Sequence, residues 1–267
     1  MAVEIASKKQ YVDPRITIVG AGPGDPDLIS IKGVNALKAA NVILYDALVD
    51  ERLLDYAPPE SIKVYVGNPS GDENFSQDVV NQLMVDYALN FGHVVRLKGG
   101  DLFVFGRGYE ELSFAESYSI ETDIVPGISS AISVPGLQGI PVTHGGLSDS
   151  LWILSGTDES GKLSGELKDA ARSRATVVVL LGFDRLQEIV AIYQEAGKGR
   201  LPAAIIQNGS MVNEKVAIGL VNTIVEVAEE QQIDNTGPVL LVFGFAVELH
   251  RRFQPIRQFF ELREYED

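Results

Sequence analysis

The chain of 267 residues contains no cysteine. This absence excludes a disulfide framework, a thiol nucleophile and a zinc site built on cysteine, and it is compatible with a reducing compartment. Long hydrophobic runs are also missing, since no apolar stretch reaches the roughly 18–20 residues that a membrane-spanning helix needs. Lys8 and Lys9 near the start are not followed by the apolar core of a signal peptide. We therefore expect a cytoplasmic protein with a flexible leader over residues 1–14.

Positive charge is scarce, because 22 lysines and arginines face 37 aspartates and glutamates, for a formal net charge of -15. The phosphate backbone of a nucleic acid would be repelled, so we expect a small-molecule substrate and no nucleic-acid partner. The three histidines, His93, His144 and His250, lack the spacing of metal ligands. We predict no metal site, and no phosphate-binding Walker loop or nucleophile elbow occurs in the chain.

Short apolar runs alternate with segments of helical spacing. The predicted strands cover residues 15–19, 41–45, 62–66, 94–97, 123–125, 151–154, 177–181, 203–206, 216–219 and 239–243. The predicted helices cover residues 31–40, 109–118, 185–196, 221–231 and a segment capped by Ser76 with the apolar face Val79, Val80, Leu83, Met84 and Tyr87. This order predicts an α/β fold with a mainly parallel N-terminal sheet and a mixed C-terminal sheet.

We place two α/β domains over residues 15–127 and 128–253, followed by a charged tail over residues 254–267. The boundary falls in a stretch between Pro126 and Pro141 that is rich in glycine and proline. Such residues interrupt regular structure, so this stretch is interpreted as a linker or as a functional loop followed by a helix.

Three glycine-rich segments follow predicted strands, at residues 20–26, 98–108 and 125–131. Glycine allows sharp turns and a close approach of the main chain to a ligand, and open α/β sheets bind ligands at the carboxyl ends of their strands. Asp101 would accept hydrogen bonds from hydroxyl or amine groups of a ligand. Ser129, at the expected start of a helix, would either donate to a ligand or simply cap the helix.

The first of these segments also invites comparison with the dinucleotide fingerprint G-x-G-x-x-G. Gly20 and Gly22 fit that pattern, but Gly24 comes one position too early. Asp46 lies about where the ribose-binding acid of such proteins is found, some ~20 residues further on. A nicotinamide-dependent oxidoreductase and a purely structural turn are therefore the alternatives to a different kind of ligand site.

Together, residues 19–49, 96–108, 125–130 and 139–144 resemble the tetrapyrrole methyltransferases, and the similarity extends over about residues 15–250. Within that family the motifs are most similar to those of the enzymes that methylate uroporphyrinogen III. The resemblance implies two α/β domains with the cofactor in the cleft between them, a homodimer, and S-adenosylmethionine as methyl donor. It implies successive methylation of two pyrrole carbons, which yields precorrin-2, the precursor of sirohaem and cobalamin.

The resemblance also implies roles for individual residues. The implied cofactor contacts are Pro23, Gly99, Gly100, Asp101, Val104, Ser129, Ser130, Leu181 and Gly209. The family's general base falls on Asp46. Because uroporphyrinogen III carries eight carboxylates, basic residues are expected to bind it; the candidates are Arg96, Lys98 and Arg107, for which surface charge is the alternative, with Asn68 at the position of a family lysine proposed as proton donor.

Five positions differ from the family pattern. Asn68 replaces that lysine, Pro69 an arginine, Leu102 a proline, Gly145 an arginine and Leu181 a methionine. An asparagine does not donate a proton at neutral pH, and glycine has no basic side chain. Two further hypotheses follow from these differences: a methyltransferase for another tetrapyrrole or related acceptor, and a family member that binds the cofactor without catalysing transfer.

Overall fold

The computed structural model describes residues 12–67, 76–158 and 160–253. Their contacts divide the chain into two compact units. Unit 1 contains the described residues up to Gly22 together with Pro26–Gly127, and unit 2 contains Pro23–Asp25 together with the described residues from Ile128 onward. Most of the predicted leader and all of the predicted tail lie outside the described residues, so both stay predictions.

Unit 1 is built on a five-stranded sheet whose pairings are all parallel. Its strands are β1 (Arg15–Gly20), β2 (Val42–Tyr45), β3 (Ile62–Tyr65), β4 (His93–Lys98) and β5 (Glu121–Val125). They lie in the order β3-β2-β4-β1-β5. The predicted parallel sheet is thus confirmed, and all five carboxyl ends lie at one edge of it.

Helices of unit 1 contribute to two apolar clusters at the sheet. They are α1 (Ile31–Lys38), α2 (Gln77–Phe91) and α3 (Gly108–Ser117). Alternate side chains of β4 enter different clusters: Val94 packs with residues of α2 and α3, whereas Val95 packs with Leu37 of α1. This alternation is the expected consequence of the two-residue period of a strand buried on both faces.

The predicted apolar face of α2 is correct for Val80 and Met84, which are buried, and wrong for Val79, which is exposed. Val85 and Ala88 are buried in its place, because the helix is rotated slightly relative to the predicted stripe. Ser76 precedes the helix as its N-cap, but its side chain makes no capping hydrogen bond.

Unit 2 contains a mixed five-stranded sheet, as predicted. Its strands are β6 (Leu151–Ser155), β7 (Thr176–Leu180), β8 (Pro202–Gln207), β9 (Lys215–Leu220) and β10 (Val239–Phe243). The order is β6-β7-β10-β8-β9, in which β6 and β7 are parallel and the other three pairings antiparallel. Since β10 runs against both of its neighbours, β7 and β8 point the same way and end at the same edge.

The helices of unit 2 are α4 (Ser130–Leu137), α5 (Glu166–Arg172), α6 (Leu186–Glu195) and α7 (Ile224–Glu230). Helix α4 lies in the stretch rich in glycine and proline, so of the two interpretations of that stretch the loop followed by a helix is correct. Helix α5 was not predicted. Among the described residues, no helix is long and apolar enough to cross a membrane.

Candidate active site

Glycine-rich loops of unit 1 meet at the carboxyl edge of its parallel sheet. The main chains of Gly22 and Gly100 are paired, with N–H to carbonyl distances of 3.3 and 2.7 Å in the two directions. A Cβ on Gly127 would lie 2.1 Å from the carbonyl oxygen of Gly100 and 2.7 Å from Cα of Gly20. The three loops therefore pack backbone against backbone, and side chains at Gly20 and Gly127 would separate them.

Gly100 leaves room for a ligand at this edge. Its φ of +69° lies in the left-handed region that favours glycine, and a Cβ there would meet no atom within 4 Å. A Cβ on the preceding Gly99, by contrast, would lie 2.5 Å from Cβ of Leu48. An open glycine backbone at the carboxyl end of a parallel strand fits the close approach of a nucleoside-containing cofactor.

Asp101 connects two of these loops. One carboxylate oxygen accepts a hydrogen bond from the main-chain N–H of Phe103 at 2.9 Å, and the other accepts one from Gly127 at 3.2 Å. In this structure Asp101 thus fixes the relative position of the loops after β4 and β5. Its predicted contact with a cofactor remains a prediction.

The loop after Asp101 has an unusual backbone. Phe105 and Arg107 have φ values of 55° and 54°, which non-glycine residues seldom adopt. Leu102, at the position of a family proline, is buried, and its carbonyl oxygen accepts from Gly108 at the start of α3. Arg107 is exposed and Val104 is partly buried, so the guanidinium of Arg107 is accessible on unit 1.

Asp46 follows β2 at the same edge, and its side chain is 24% exposed. One of its oxygens accepts main-chain hydrogen bonds from Leu48 at 3.2 Å and Gly99 at 3.3 Å. The other oxygen lies 3.5 Å from Nη2 of Arg96. The carboxylate is therefore oriented from two sides and is still accessible from solvent.

Arg96 and Lys98, both predicted to bind the acceptor, are only 4% and 6% exposed. Nε of Arg96 donates to Glu111 at 3.1 Å, and Nζ of Lys98 donates to the same oxygen at 2.8 Å. Their cationic groups thus have a protein partner inside unit 1, and nothing in this arrangement supports direct binding of an acceptor. The acceptor contacts that we propose therefore include neither Arg96 nor Lys98.

Glu111 on α3 is fully buried and was not singled out from the sequence. Burial by itself would raise the pKa of its carboxyl group, but the nearby Arg96 and Lys98 outweigh burial and hold that pKa below its ordinary value. Burial, with the charge of Arg96, lowers the pKa of Lys98. The available sequence signal for a buried acid such as Glu111 was the presence of two cationic residues within the apolar strand β4. Buried cations need a buried anion.

Two of the predicted cofactor contacts in unit 2 lie at one edge of the mixed sheet. Leu181 directly follows β7, and Gly209 comes two residues after β8. Leu181 is exposed and has a φ of 54°. A Cβ on Gly209 would lie 2.3 Å from a methyl group of Val134 on α4, so this glycine is required for the helix to pack there.

The other predicted contacts of unit 2 are Pro23, Ser129 and Ser130. Pro23 belongs to the short segment that packs with unit 2, and the N–H of its neighbour Asp25 donates to Oγ of Ser210 at 3.0 Å. Ser129 is the N-cap of α4 and accepts from the N–H of Ala131 at 3.3 Å. Its capping function is therefore confirmed, whereas cofactor contacts at these three residues stay predictions.

Two positions that differ from the family pattern have different outcomes. Asn68 lies outside the described residues, so its predicted role stays a prediction. Gly145 lies in a turn closed by a hydrogen bond from N–H of His144 to the carbonyl of Ser148 at 3.0 Å. Of the three histidines, His93 forms hydrogen bonds through its ring nitrogens to Oγ1 of Thr17 and to the carbonyl oxygen of Ala39. These contacts agree with the expected structural role of this histidine.

Residues 15–225 match the family model described as tetrapyrrole (corrin/porphyrin) methylases. The chain belongs to this family. The match includes the carboxyl edge of unit 1, with its glycine-rich loops and Asp46, and the strand ends of unit 2 that carry Leu181 and Gly209.

Among its relatives, the uroporphyrinogen-III C-methyltransferase of Methanocaldococcus jannaschii is 38% identical over 229 residues, which are 85% of this chain and 95% of that protein. A siroheme synthase of Actinobacillus pleuropneumoniae is also 38% identical, but the chain spans only 48% of its length. The crystal structure of a Thermus thermophilus uroporphyrin-III C-methyltransferase complexed with S-adenosylhomocysteine is 36% identical, with a TM-score of 0.73 over 88% of this chain and 99% of that one.

Proposed function

We propose that the protein is an S-adenosylmethionine-dependent C-methyltransferase that converts uroporphyrinogen III to precorrin-2. The observation that carries this proposal is the carboxyl edge of unit 1, where the open backbone of Gly100 lies beside an oriented, solvent-accessible Asp46. Full-length similarity to uroporphyrinogen-III C-methyltransferases supports it. Because the chain spans about half of the siroheme synthases, their further activities are not part of the proposal.

The sulfonium of S-adenosylmethionine supplies an activated methyl group, which an electron-rich pyrrole carbon takes as the sulfur keeps the electron pair. The task of the protein is then mainly to align donor and acceptor. The methylated carbon must lose its proton, and we assign Asp46 to accept it. The N–H groups of Leu48 and Gly99 fix one oxygen of this carboxylate, and we assign the other, which lies 3.5 Å from Nη2 of Arg96, to take the proton.

For the cofactor we propose contacts with Gly99, Gly100, Asp101 and Val104 of unit 1 and with Pro23, Ser129, Ser130, Leu181 and Gly209 of unit 2. The residues fit a nucleoside-containing ligand in three ways. Gly100 has open space at its Cα, Asp101 offers a carboxylate, and the N-terminus of α4 offers hydroxyl and amide groups. For the acceptor we propose contacts with Arg107 and Asn68.

A second candidate function is favoured by Asn68 and Gly145, which replace basic residues of the family pattern. Fewer basic groups weaken binding of an acceptor with eight carboxylates. A less anionic tetrapyrrole or related acceptor would fit better, or the protein would bind the cofactor without transferring its methyl group. Uroporphyrinogen III remains our first candidate acceptor. The relatives that match this chain over at least 90% of their own length are named uroporphyrinogen-III C-methyltransferases.

Methyl transfer from labelled S-adenosylmethionine separates these candidates when uroporphyrinogen III and less anionic tetrapyrroles are compared, with Asn68→Lys beside the wild type. We expect the wild type to methylate uroporphyrinogen III. If only Asn68→Lys turns over, Asn68 marks a position at which a catalytic or binding group has been lost. Binding of S-adenosylhomocysteine, measured by calorimetry, tests the cofactor separately, and no binding at millimolar ligand would refute the assigned cofactor contacts.

We also propose that the protein is a cytoplasmic homodimer. The lack of cysteine is compatible with a reducing compartment. In unit 2, Leu137 of α4 and Val212 are exposed apolar residues, and a hydrogen bond of 2.7 Å from Gln138 to Glu214 links the two segments that carry them. A second copy would cover this surface. Analytical ultracentrifugation is expected to give a dimer that Val212→Glu weakens, and a monomeric wild type would contradict the proposal.

A further inference from the structure

The buried side chains behind Asp46 form a connected series of ionic contacts within unit 1. Glu111 of α3 accepts from Nε of Arg96 at 3.1 Å, and Nη2 of the same arginine lies 3.5 Å from Asp46. Nη1 of Arg96 donates to the carbonyl of Leu97 at 3.0 Å and to that of Leu44 at 3.4 Å. All three guanidinium nitrogens therefore have defined neighbours, and the plane of the group is fixed.

Such an arrangement contributes little to stability for its size. Removing two charges from water is costly, and the attraction within a buried ion pair often fails to offset that cost. An apolar residue at Arg96 would fill the same place in the core at lower cost. Arg96 therefore needs another explanation, and its one contact with a partly exposed group is the contact with Asp46.

Two different kinds of group orient Asp46. Main-chain N–H groups of Leu48 and Gly99 bind one oxygen, and the charge of Arg96 attracts the other. Arg96 is the one partner of the second oxygen among the described residues, so without it only the two long main-chain hydrogen bonds to the first oxygen would limit rotation of the carboxylate about its bond to Cβ. A displacement of about 1 Å in a reacting group is enough to reduce a rate about 100-fold.

We propose that Arg96 is a positioning residue, which holds the carboxylate of Asp46 in its productive orientation, and that Glu111 in turn fixes Arg96. The proposal rests on the proposed function, in which Asp46 accepts the proton. It assigns to Arg96 no direct contact with the acceptor. The planar fork of an arginine is required, because a lysine presents a single nitrogen and is unable to reach Glu111, the carbonyl groups and Asp46 together.

The test is the substitution Arg96→Lys, which keeps the buried positive charge. We expect kcat for methyl transfer to uroporphyrinogen III to fall about 10- to 100-fold, while KM for that acceptor and the Kd of S-adenosylhomocysteine change less than about 3-fold. When Asp46→Asn is already present, Arg96→Lys is expected to lower kcat by less than about 2-fold, because residues that act through one another are not additive.

Arg15→Lys is the matched control. Arg15 makes the same kind of ion pair, with Asp123, but it is exposed and lies at the opposite end of the strands of the same sheet. The same chemical change there should leave kcat, KM and cofactor binding at wild-type values. A loss in both variants would point to a general weakening of unit 1 and would overturn the specific role of Arg96.

Glu111→Gln provides a second variant if Arg96→Lys does not fold. The oxygen Oε2 of Glu111 has no hydrogen-bond partner among the described residues, so the new amide group can take its place while Oε1 still accepts from Arg96. We expect kcat to fall at least about 3-fold with KM nearly constant, since a neutral partner holds the guanidinium less firmly than a carboxylate.

Wild-type turnover decides the proposed function, and the variants relative to the wild type decide the positioning role. An inactive wild type would remove the basis of both. With an active wild type, an unchanged kcat in Arg96→Lys, or a raised KM at constant kcat, would overturn positioning alone. An equal loss of kcat with and without Asp46→Asn would also overturn it, because Arg96 would then act independently of Asp46.

Discussion

The central strands of the two sheets differ in what they bury. Strand β4 of unit 1 carries Arg96 and Lys98 among its buried residues, and Glu111 of α3 meets them. Strand β10 of unit 2 is apolar from Val239 to Phe243 and packs into two apolar clusters. A central strand with paired charges and a wholly apolar central strand thus both occur in a five-stranded sheet that is covered by packed side chains. The buried charges of unit 1 are therefore not a requirement of such a sheet. They lie next to the edge of the sheet that carries Asp46.

The largest effect is expected at Asp46 itself. Asp46→Asn keeps an oxygen that accepts from Leu48 and Gly99 but removes the group that accepts the proton. We expect kcat to fall about 10²- to 10⁴-fold, the range typical of general bases, with little change in the Kd of S-adenosylhomocysteine. Steady-state kinetics and calorimetry measure the two quantities. Wild-type kcat in this variant would contradict the assignment of the base.

The next largest effect is on the free energy of unfolding. It distinguishes a buried charged side chain of unit 1 from a buried neutral side chain of unit 2. Glu111→Ala leaves two buried cations without an anion and should cost about 3–5 kcal/mol of unfolding free energy. Gln207 is equally buried and hydrogen-bonds to Asp234, so Gln207→Ala should cost about 1–3 kcal/mol. Urea unfolding followed by circular dichroism measures both. Equal costs would remove the energetic distinction between the units.

Backbone packing gives a third comparison. A side chain at Gly127 would meet the carbonyl oxygen of Gly100 at 2.1 Å, whereas one at Gly136 in α4 would meet nothing within 4 Å. We expect Gly127→Ala to destabilise the protein by about 1–3 kcal/mol and to weaken binding of S-adenosylhomocysteine. Gly136→Ala should stabilise it by about 0.5–1 kcal/mol, because alanine favours helix. Thermal unfolding that reverses this order would contradict the loop packing described above.

The smallest effect concerns an exposed acid of unit 2. Hydrogen bonds from Thr236 and Gln207 lower the pKa of Asp234 from 3.8 to about 2. A depressed carboxyl pKa stabilises the folded state above the unfolded value, and this contribution is lost as the pH falls from about 4 towards 2. The Tm of the wild type should therefore exceed that of Asp234→Asn at pH 6, and the difference should shrink below pH 4. A constant difference would contradict the assignment.

Much of the fold was predictable because its strands are short apolar runs with clear ends; β10 was predicted to the residue. Helix α4 was harder, since Pro135 and Gly136 lie within it and local signals for a break outweigh helical spacing. The position of Val79 on α2 was wrong because two neighbouring apolar residues leave the rotation of the helix undetermined. Tertiary packing decides such cases.

The parts of the candidate site that are formed by the main chain were predictable from the sequence. The pairings between its charged side chains were less so. Glycines after strands indicated the loops around Gly100, and the predicted parallel strands placed Asp46 at the same edge. Two cations in an apolar strand indicated that a buried anion is needed, but the sequence did not show which one, because the pairing of charges distant in sequence follows from how α3 packs on the sheet. Glu111 lies 15 residues after Arg96, and nothing in the spacing connects them.

Each of the roles assigned to these residues depends on methylation of a tetrapyrrole at carbon by this chain. The most direct measurement is mass spectrometry of uroporphyrinogen III incubated with the protein and S-adenosylmethionine, with the Priestia megaterium relative as the positive control. We expect a product that carries two added methyl groups, formed through a singly methylated intermediate. An unmodified acceptor, under conditions where the relative turns over and this protein binds S-adenosylhomocysteine, would contradict this expectation.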